Sequence, residues 1–171
     1  FEVGYSDEEL KLGRYHKELT RADQLLSDIQ AAADYLKAMP TVNANAIGCI
    51  GFCFGGHVAY LAATLPDIQA TASFYGAGIA TLCPGGGEPT ITRTKDIKGT
   101  LYAFFGVDDP LIPLDQVDAI EAALVQHHIP HRVWRYAGAG HGFMCDQRDS
   151  YEPIAAAAAW EHVKELFGQM K

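Results

Sequence analysis

Gly51-Phe52-Cys53-Phe54-Gly55-Gly56 is the stretch on which the fold turns. It closes Ala46 to Phe52, a short apolar run rich in Ile and Gly that reads as a buried strand. It opens a helical pattern, Phe54 to Leu65, with Val58, Leu61 and Ala62 on one side and Pro66 as the stop. A side chain on so tight a strand-to-helix turn is pushed out at the top of the sheet. Glycines are needed on both sides because a Cβ there would strike neighbouring backbone. Cys53 therefore takes the nucleophile position of a G-x-S-x-G elbow, with sulfur in place of oxygen. The turn also sets the thiol at a helix N-terminus, where unsatisfied N–H groups favour the thiolate. The backbone N–H of Phe54 is then aimed at any oxyanion formed on an attacked carbonyl.

Outward from the elbow the chain alternates. Upstream, Thr20 with Asp23 three residues on resembles a capping box, and Leu25, Leu26, Ile29, Ala32, Ala33 and Leu36 recur at helical spacing until Pro40. Residues 1–19 show no clear periodicity and read as an approach segment, with a helical turn around Ser6 to Leu12; residues 20–171 form the core of a single domain. Downstream, Ala70 to Tyr75, Thr100 to Phe105 and His131 to Tyr136 read as strands, and Leu114 to Gln126 and Pro153 to Met170 as helices. Residues 76–99 are dense in Gly and Pro and form a long loop within the same domain. This rhythm predicts an α/β fold: a mostly parallel sheet of about four readable strands flanked by helices. Reactive residues in such sheets collect on the loops leaving the carboxyl ends of the strands.

Two of those loops carry the partners a nucleophile needs. Gly106-Val107-Asp108-Asp109-Pro110 follows the third strand, and Gly138-Ala139-Gly140-His141-Gly142-Phe143 follows the fourth. His141, between glycines, is free to reach across the strand ends as a base. Either Asp108 or Asp109 can orient it. The chain order is nucleophile, acid, base.

Composition bounds the rest. The 171 residues hold 13 Lys+Arg against 21 Asp+Glu, a formal net charge of −8, which excludes phosphate-driven nucleic-acid binding. With 49% apolar and 20% charged residues this is the balance of a soluble globular domain. Its longest strongly apolar stretch, Ile154 to Trp160, is far below the roughly 20 residues that cross a bilayer, so no membrane is expected. Cys49, Cys53, Cys83 and Cys145 are too irregularly spaced for a disulfide scaffold and point to a reducing compartment, the cytoplasm. A zinc site among these cysteines and His141 finds no close C-x-x-C pair to build on. A redox role for Cys53 is a further alternative. Gly85-Gly86-Gly87 lacks the Lys-Ser/Thr of a phosphate-binding loop, and His57 either lines a pocket or packs. No metal or cofactor is expected.

From Leu25 to Phe167 the chain resembles the dienelactone hydrolase (carboxymethylenebutenolidase) family of α/β-hydrolases. The matching pieces are Gly-Phe-Cys-Phe-Gly-Gly at 51–56, Phe-Tyr-Gly at 74–76, Asp109 to Pro113 as Asp-x-x-Ile-Pro, and Ala-Gly-His-Gly-Phe at 139–143. Tyr151 also fits a tyrosine the family carries before its last helix. The resemblance implies Asp109, not Asp108, as the orienting acid. It implies hydrolysis of an ester or enol-lactone through a Cys53 acyl-enzyme, with His141 as base and no cofactor. The family holds its substrate's carboxylate with arginines, one of them four residues after the catalytic His. Here Cys145 stands at that position, which leaves Arg148 and Arg14 as the candidates. The chain opens at Phe1 without a Met, and the family's sheet has more strands than are readable here. We therefore expect an N-terminally truncated domain, lacking roughly 60 to 80 residues at the usual size of such domains. The elbow strand would then be an open edge, in a monomer or a homodimer. The competing expectation is an inactive fragment or interaction module of the same fold.

Overall fold

In the computed structural model four strands lie side by side in chain order and all run parallel: β1 (Ile47–Phe52), β2 (Ile68–Phe74), β3 (Thr100–Gly106) and β4 (His131–Tyr136). Five α-helices accompany them among the described residues, which are Gly4 and 6–170: α1 (Asp7–Glu18), α2 (Ala22–Lys37), α3 (Phe54–Ala62), α4 (Leu114–Gln126) and α5 (Pro153–Gly168). The start of the approach segment, residues 1–3 and Tyr5, lies outside the described residues.

Parallel pairing puts Phe52, Phe74, Phe104 and Trp134 in register across the sheet. Their rings form a column, with centroids 4.8, 4.3 and 4.8 Å apart, and Trp134 stacks in turn on His162 of α5 at 4.2 Å. That face of the sheet is covered by α5. Successive strand residues point to opposite faces, and Ser73, next to Phe74, donates its hydroxyl to the Gly56 carbonyl of α3 at 2.8 Å. The other face is therefore covered by α3. With both faces covered, six of the seven residues in each of β2 and β3 are buried. The edge strands are more open: Ile50 and Phe52 of β1 are exposed, and no residue of β4 is fully buried.

Three readings need correction. Asp7–Glu18 is a full helix, not an approach loop with one turn; none of its residues is buried, so it has no apolar stripe to betray it. It is held instead by its ends. Ser6 and Glu9 form a reciprocal capping box, three acids occupy the first turn, and His16 and Lys17 the last. The cap read at Thr20 and Asp23 does not form. The Thr20 hydroxyl donates back to the Lys17 carbonyl at 2.6 Å, and Asp23 pairs with Arg21 at 3.1 Å. The loop over 76–99 contains a 3-10 helix, Thr90–Asp96. Of the apolar series on α2 only Ala33 is buried, in a small cluster with Ile47 and Ile68, while Leu36 is exposed.

Candidate active site

The elbow follows from glycine geometry. A Cβ on Gly51 would run into the Gly55 carbonyl, and one on Gly56 into the Phe74 carbonyl. With both absent, strand and helix close tightly enough to force Cys53 to φ 55°, ψ −122°. A non-glycine residue rarely adopts such a backbone, at a cost of order 1–3 kcal/mol. It is fixed by three hydrogen bonds: the Cys53 N–H donates to Phe74 O at 3.1 Å, and its carbonyl accepts from the N–H groups of Gly56 at 2.9 Å and His57 at 3.2 Å.

The loops after β3 and β4 then converge on the thiol. His141 Nε2 lies 3.0 Å from Cys53 Sγ, and its Nδ1 lies 2.8 Å from Asp109 Oδ2. The Asp109 side chain is wholly buried, and its other oxygen accepts the Leu111 N–H at 2.8 Å. Asp108 faces solvent instead, its N–H donating to the Ala139 carbonyl at 3.0 Å. The two loops are thus tied together directly beneath the imidazole.

The charges are tuned by these contacts. The hydrogen bond from His141 holds the Cys53 thiol below the ordinary thiol range against the opposing effect of burial, helped by the Phe54 N–H and the charge of Arg148. Burial is the largest single influence on His141 and disfavours its charge. The hydrogen bonds and charges of Asp109 and Cys53 together outweigh it and raise the imidazole to about 9. Both shifts favour a thiolate paired with an imidazolium.

A cleft of about 580 Å³ opens over Cys53 and His141 and is also lined by Phe54, Arg14 and Arg148. The two arginines, 134 positions apart by number, thus face the same cleft, one carried by α1 and the other by the segment after His141. Two residues went unread. Lys17, also on α1, lines the cleft, with its ammonium 5.9 Å from the Phe54 ring centroid. Tyr75 presents its ring edge-on to the imidazole at 5.2 Å, and burial pushes its hydroxyl pKa well up. The signal for Tyr75 was available, since it directly follows the strand beside the elbow strand and belongs to the Phe-Tyr-Gly at 74–76. For Lys17 there was none in the local pattern. Among the described residues no three His, Cys, Asp or Glu side chains group as metal ligands, and no helix is long and apolar enough to cross a membrane.

A parallel sheet whose first strand ends in a cysteine elbow, with the acid and histidine on loops leaving later strands, is an α/β-hydrolase fold. Residues 2–171 match the profile of the Dienelactone hydrolase family, and the chain belongs to that family, which carries a hydrolase role. A Synechocystis sp. protein provisionally named as a carboxymethylenebutenolidase is 51% identical over 167 residues, 98% of this chain and 68% of the relative. A Bradyrhizobium protein provisionally named as a 2-oxo-3-(5-oxofuran-2-ylidene)propanoate lactonase is 33% identical over 141 residues, 81% of this chain and 56% of the relative. Among solved structures, a protein of Klebsiella pneumoniae provisionally described as a dienelactone hydrolase superposes with a TM-score of 0.81 at 25% identity, covering 87% of this chain and 62% of that one. The chain spans between 56% and 68% of the length of these three relatives.

Proposed function

We propose that the protein hydrolyses carboxylic esters or enol-lactones of the dienelactone type through a thioester at Cys53. The observation that carries this reading is the unbroken chain from Cys53 Sγ through His141 to Asp109, at 3.0 and 2.8 Å. The thiolate attacks the carbonyl carbon, and the electron pair moves onto the oxygen, where the Phe54 N–H receives it. Collapse of this intermediate breaks the bond to the leaving oxygen, which takes the Nε2 proton of His141. An enol oxygen leaves readily as its stabilised anion, which suits a sulfur nucleophile. The neutral imidazole then accepts a proton from water, and the hydroxide attacks the thioester carbonyl. The thiolate departs as the product acid forms, and Asp109 holds Nδ1–H throughout, so that Nε2 always faces the reaction. Arg14 and Arg148 are the groups we assign to a substrate carboxylate, since both line the cleft that holds Cys53.

Iodoacetamide labelling located by mass spectrometry tests the nucleophile, and hydrolysis of an activated aryl ester and of a dienelactone tests the chemistry. Cys53→Ala and His141→Ala should each abolish turnover while Cys83 stays unreactive. Full activity in either variant, or equal labelling of Cys53 and Cys83, refutes the reading.

A further inference from the structure

The cleft does not end at Cys53. A second chamber, also of about 580 Å³, lies on the far side of Phe54, and Lys17, Phe54, Ala77 and Leu111 line both spaces. The second chamber touches neither Cys53 nor His141, and the cationic Arg14 and Arg148 belong only to the first. The chamber's own wall comes from the loop after β2: Thr81, Leu82, Cys83 and Pro84. Arg14 and Arg148 thus give the first space its positive charge, while the second has no arginine and is lined by Leu82, Pro84, Leu111 and Phe54 together with the polar Thr20 and Gln116.

That wall is built rather than draped. His57, in the first turn after the elbow, has no exposed surface, and both of its ring nitrogens are engaged. Nδ1 contacts the Ala77 carbonyl at 2.9 Å and Nε2 the Thr90 hydroxyl at 2.7 Å. A carbonyl only accepts, so Nδ1 carries the proton. Burial keeps the ring neutral, so Nε2 accepts from Thr90. Further along, the Thr90 N–H donates to Leu82 O at 3.0 Å, Ile91 N–H to Ile79 O at 2.9 Å, and Ala22 N–H to Pro84 O at 2.9 Å. The loop is pinned at Ala77, Ile79, Leu82 and Pro84, so the chamber exists before any ligand arrives and its occupation carries little ordering cost. A preformed space adjoining the cleft of the nucleophile can take a substrate's apolar arm.

We propose that this second chamber receives the acyl arm of the substrate, so that the preferred esters and lactones carry a medium-length aliphatic acyl chain in addition to the group held at Cys53. The assignment to the acyl side rests on the reading of Cys53, His141 and Phe54 given above. The leaving oxygen must face the His141 Nε2 proton in the first space. The carbonyl's other substituent then extends past the Phe54 N–H, toward the chamber that His141 does not reach.

The test is a set of p-nitrophenyl esters from acetate through butanoate and hexanoate to octanoate, against acetates of alcohols lengthened in the same steps. The specificity constant kcat/KM should rise by about fourfold for each buried methylene of the acyl series, the equivalent of ~0.8 kcal/mol, until the chamber is full. The alcohol series should stay flat. Leu82→Trp narrows the chamber from its exposed rim and should lower the octanoate-to-acetate ratio of kcat/KM by about tenfold or more. Independently of turnover, octanoate should slow iodoacetamide labelling of Cys53 far more than acetate does, and the Leu82→Trp protein should lose that difference. A flat acyl series in an enzyme that still hydrolyses the acetate overturns the subsite and leaves the Cys53 reading intact. Rising rates in the alcohol series instead also overturn it. If no ester is cleaved at all, the Cys53 reading fails, and octanoate protection no better than that of acetate then removes the subsite as well.

Discussion

Replacing Asp109 by Asn keeps size and shape and removes one charge from a fully buried position. One carboxylate oxygen accepts the Leu111 N–H at 2.8 Å and the other faces His141 Nδ1 at 2.8 Å. In the variant the amide oxygen stays on Leu111, so the amide NH2 is turned toward Nδ1. The imidazole must then accept there and carry its proton on Nε2, which is the wrong tautomer for drawing a proton from Cys53. The raised value of about 9 for His141 falls back toward the ordinary 6.5 or so. At 1.36 kcal/mol per tenfold this bounds the lost ion-pair stabilisation at about 3 kcal/mol, of which the Cys53 contact supplies a share. A loss of about 2 kcal/mol is the working figure, a roughly thirtyfold effect. The thiol reports it directly. A thiol of ordinary pKa, about 8.5, is only about 3% ionised at pH 7, again roughly thirtyfold below a fully formed ion pair. The rate of Cys53 alkylation by iodoacetamide, followed against pH, should have its midpoint below the ordinary thiol value in the parent. In Asp109→Asn its midpoint should rise to the ordinary thiol value, with the circular dichroism unchanged. Coincident pH profiles for parent and variant would refute the role given to Asp109.

Other perturbations have equally definite outcomes. Ester hydrolysis should lose activity at alkaline pH as His141 gives up its proton near pH 9, because only the protonated imidazole can hand Nε2–H to a leaving oxygen. This limb should be steep for an alkyl ester and shallow for a p-nitrophenyl ester, whose anion leaves unaided; identical limbs would contradict the acid role. Gly51→Ala forces a Cβ into the Gly55 carbonyl, so urea unfolding should show a loss of about 1–3 kcal/mol together with slower Cys53 labelling. Phe104→Ala removes a wholly buried ring stacked between Phe74 and Trp134. It should cost about 3–5 kcal/mol in urea unfolding, and a change below about 1 kcal/mol would show that the aromatic column does not support the sheet.

Local chemistry wrote the elbow into the chain. Gly51, Cys53 and Gly56 demand one another within a few residues, because the strained φ of Cys53 and the close approach of α3 to β2 have no other local solution. The four strands and the helices α3, α4 and α5 were legible for the same reason: apolar periodicity and chain breakers are short-range signals. α1 was not legible, since a helix that buries no residue leaves no stripe in the sequence. The Thr20 cap misled because a hydroxyl can satisfy either the helix that follows it or the one before it, and only the packed chain shows that Thr20 turned back to Lys17.

The sequence by itself determined the fold class, the elbow and the order of the candidate thiol, acid and imidazole, each read from a motif only a few residues long. The motif resemblance already favoured Asp109 over Asp108, and the structure sets Asp109 against His141; tertiary structure alone decided that His57 is a clamp on the 76–90 loop. It alone carried Arg14 and Lys17 to the mouth of a cleft that continues past Phe54. Those contacts join residues 32, 33 and 88 positions apart, as in the pairs Asp109–His141, His57–Thr90 and Cys53–His141. Over such separations the chain carries no local preference, and the free energy that selects the partner appears only when the sheet brings the loops together.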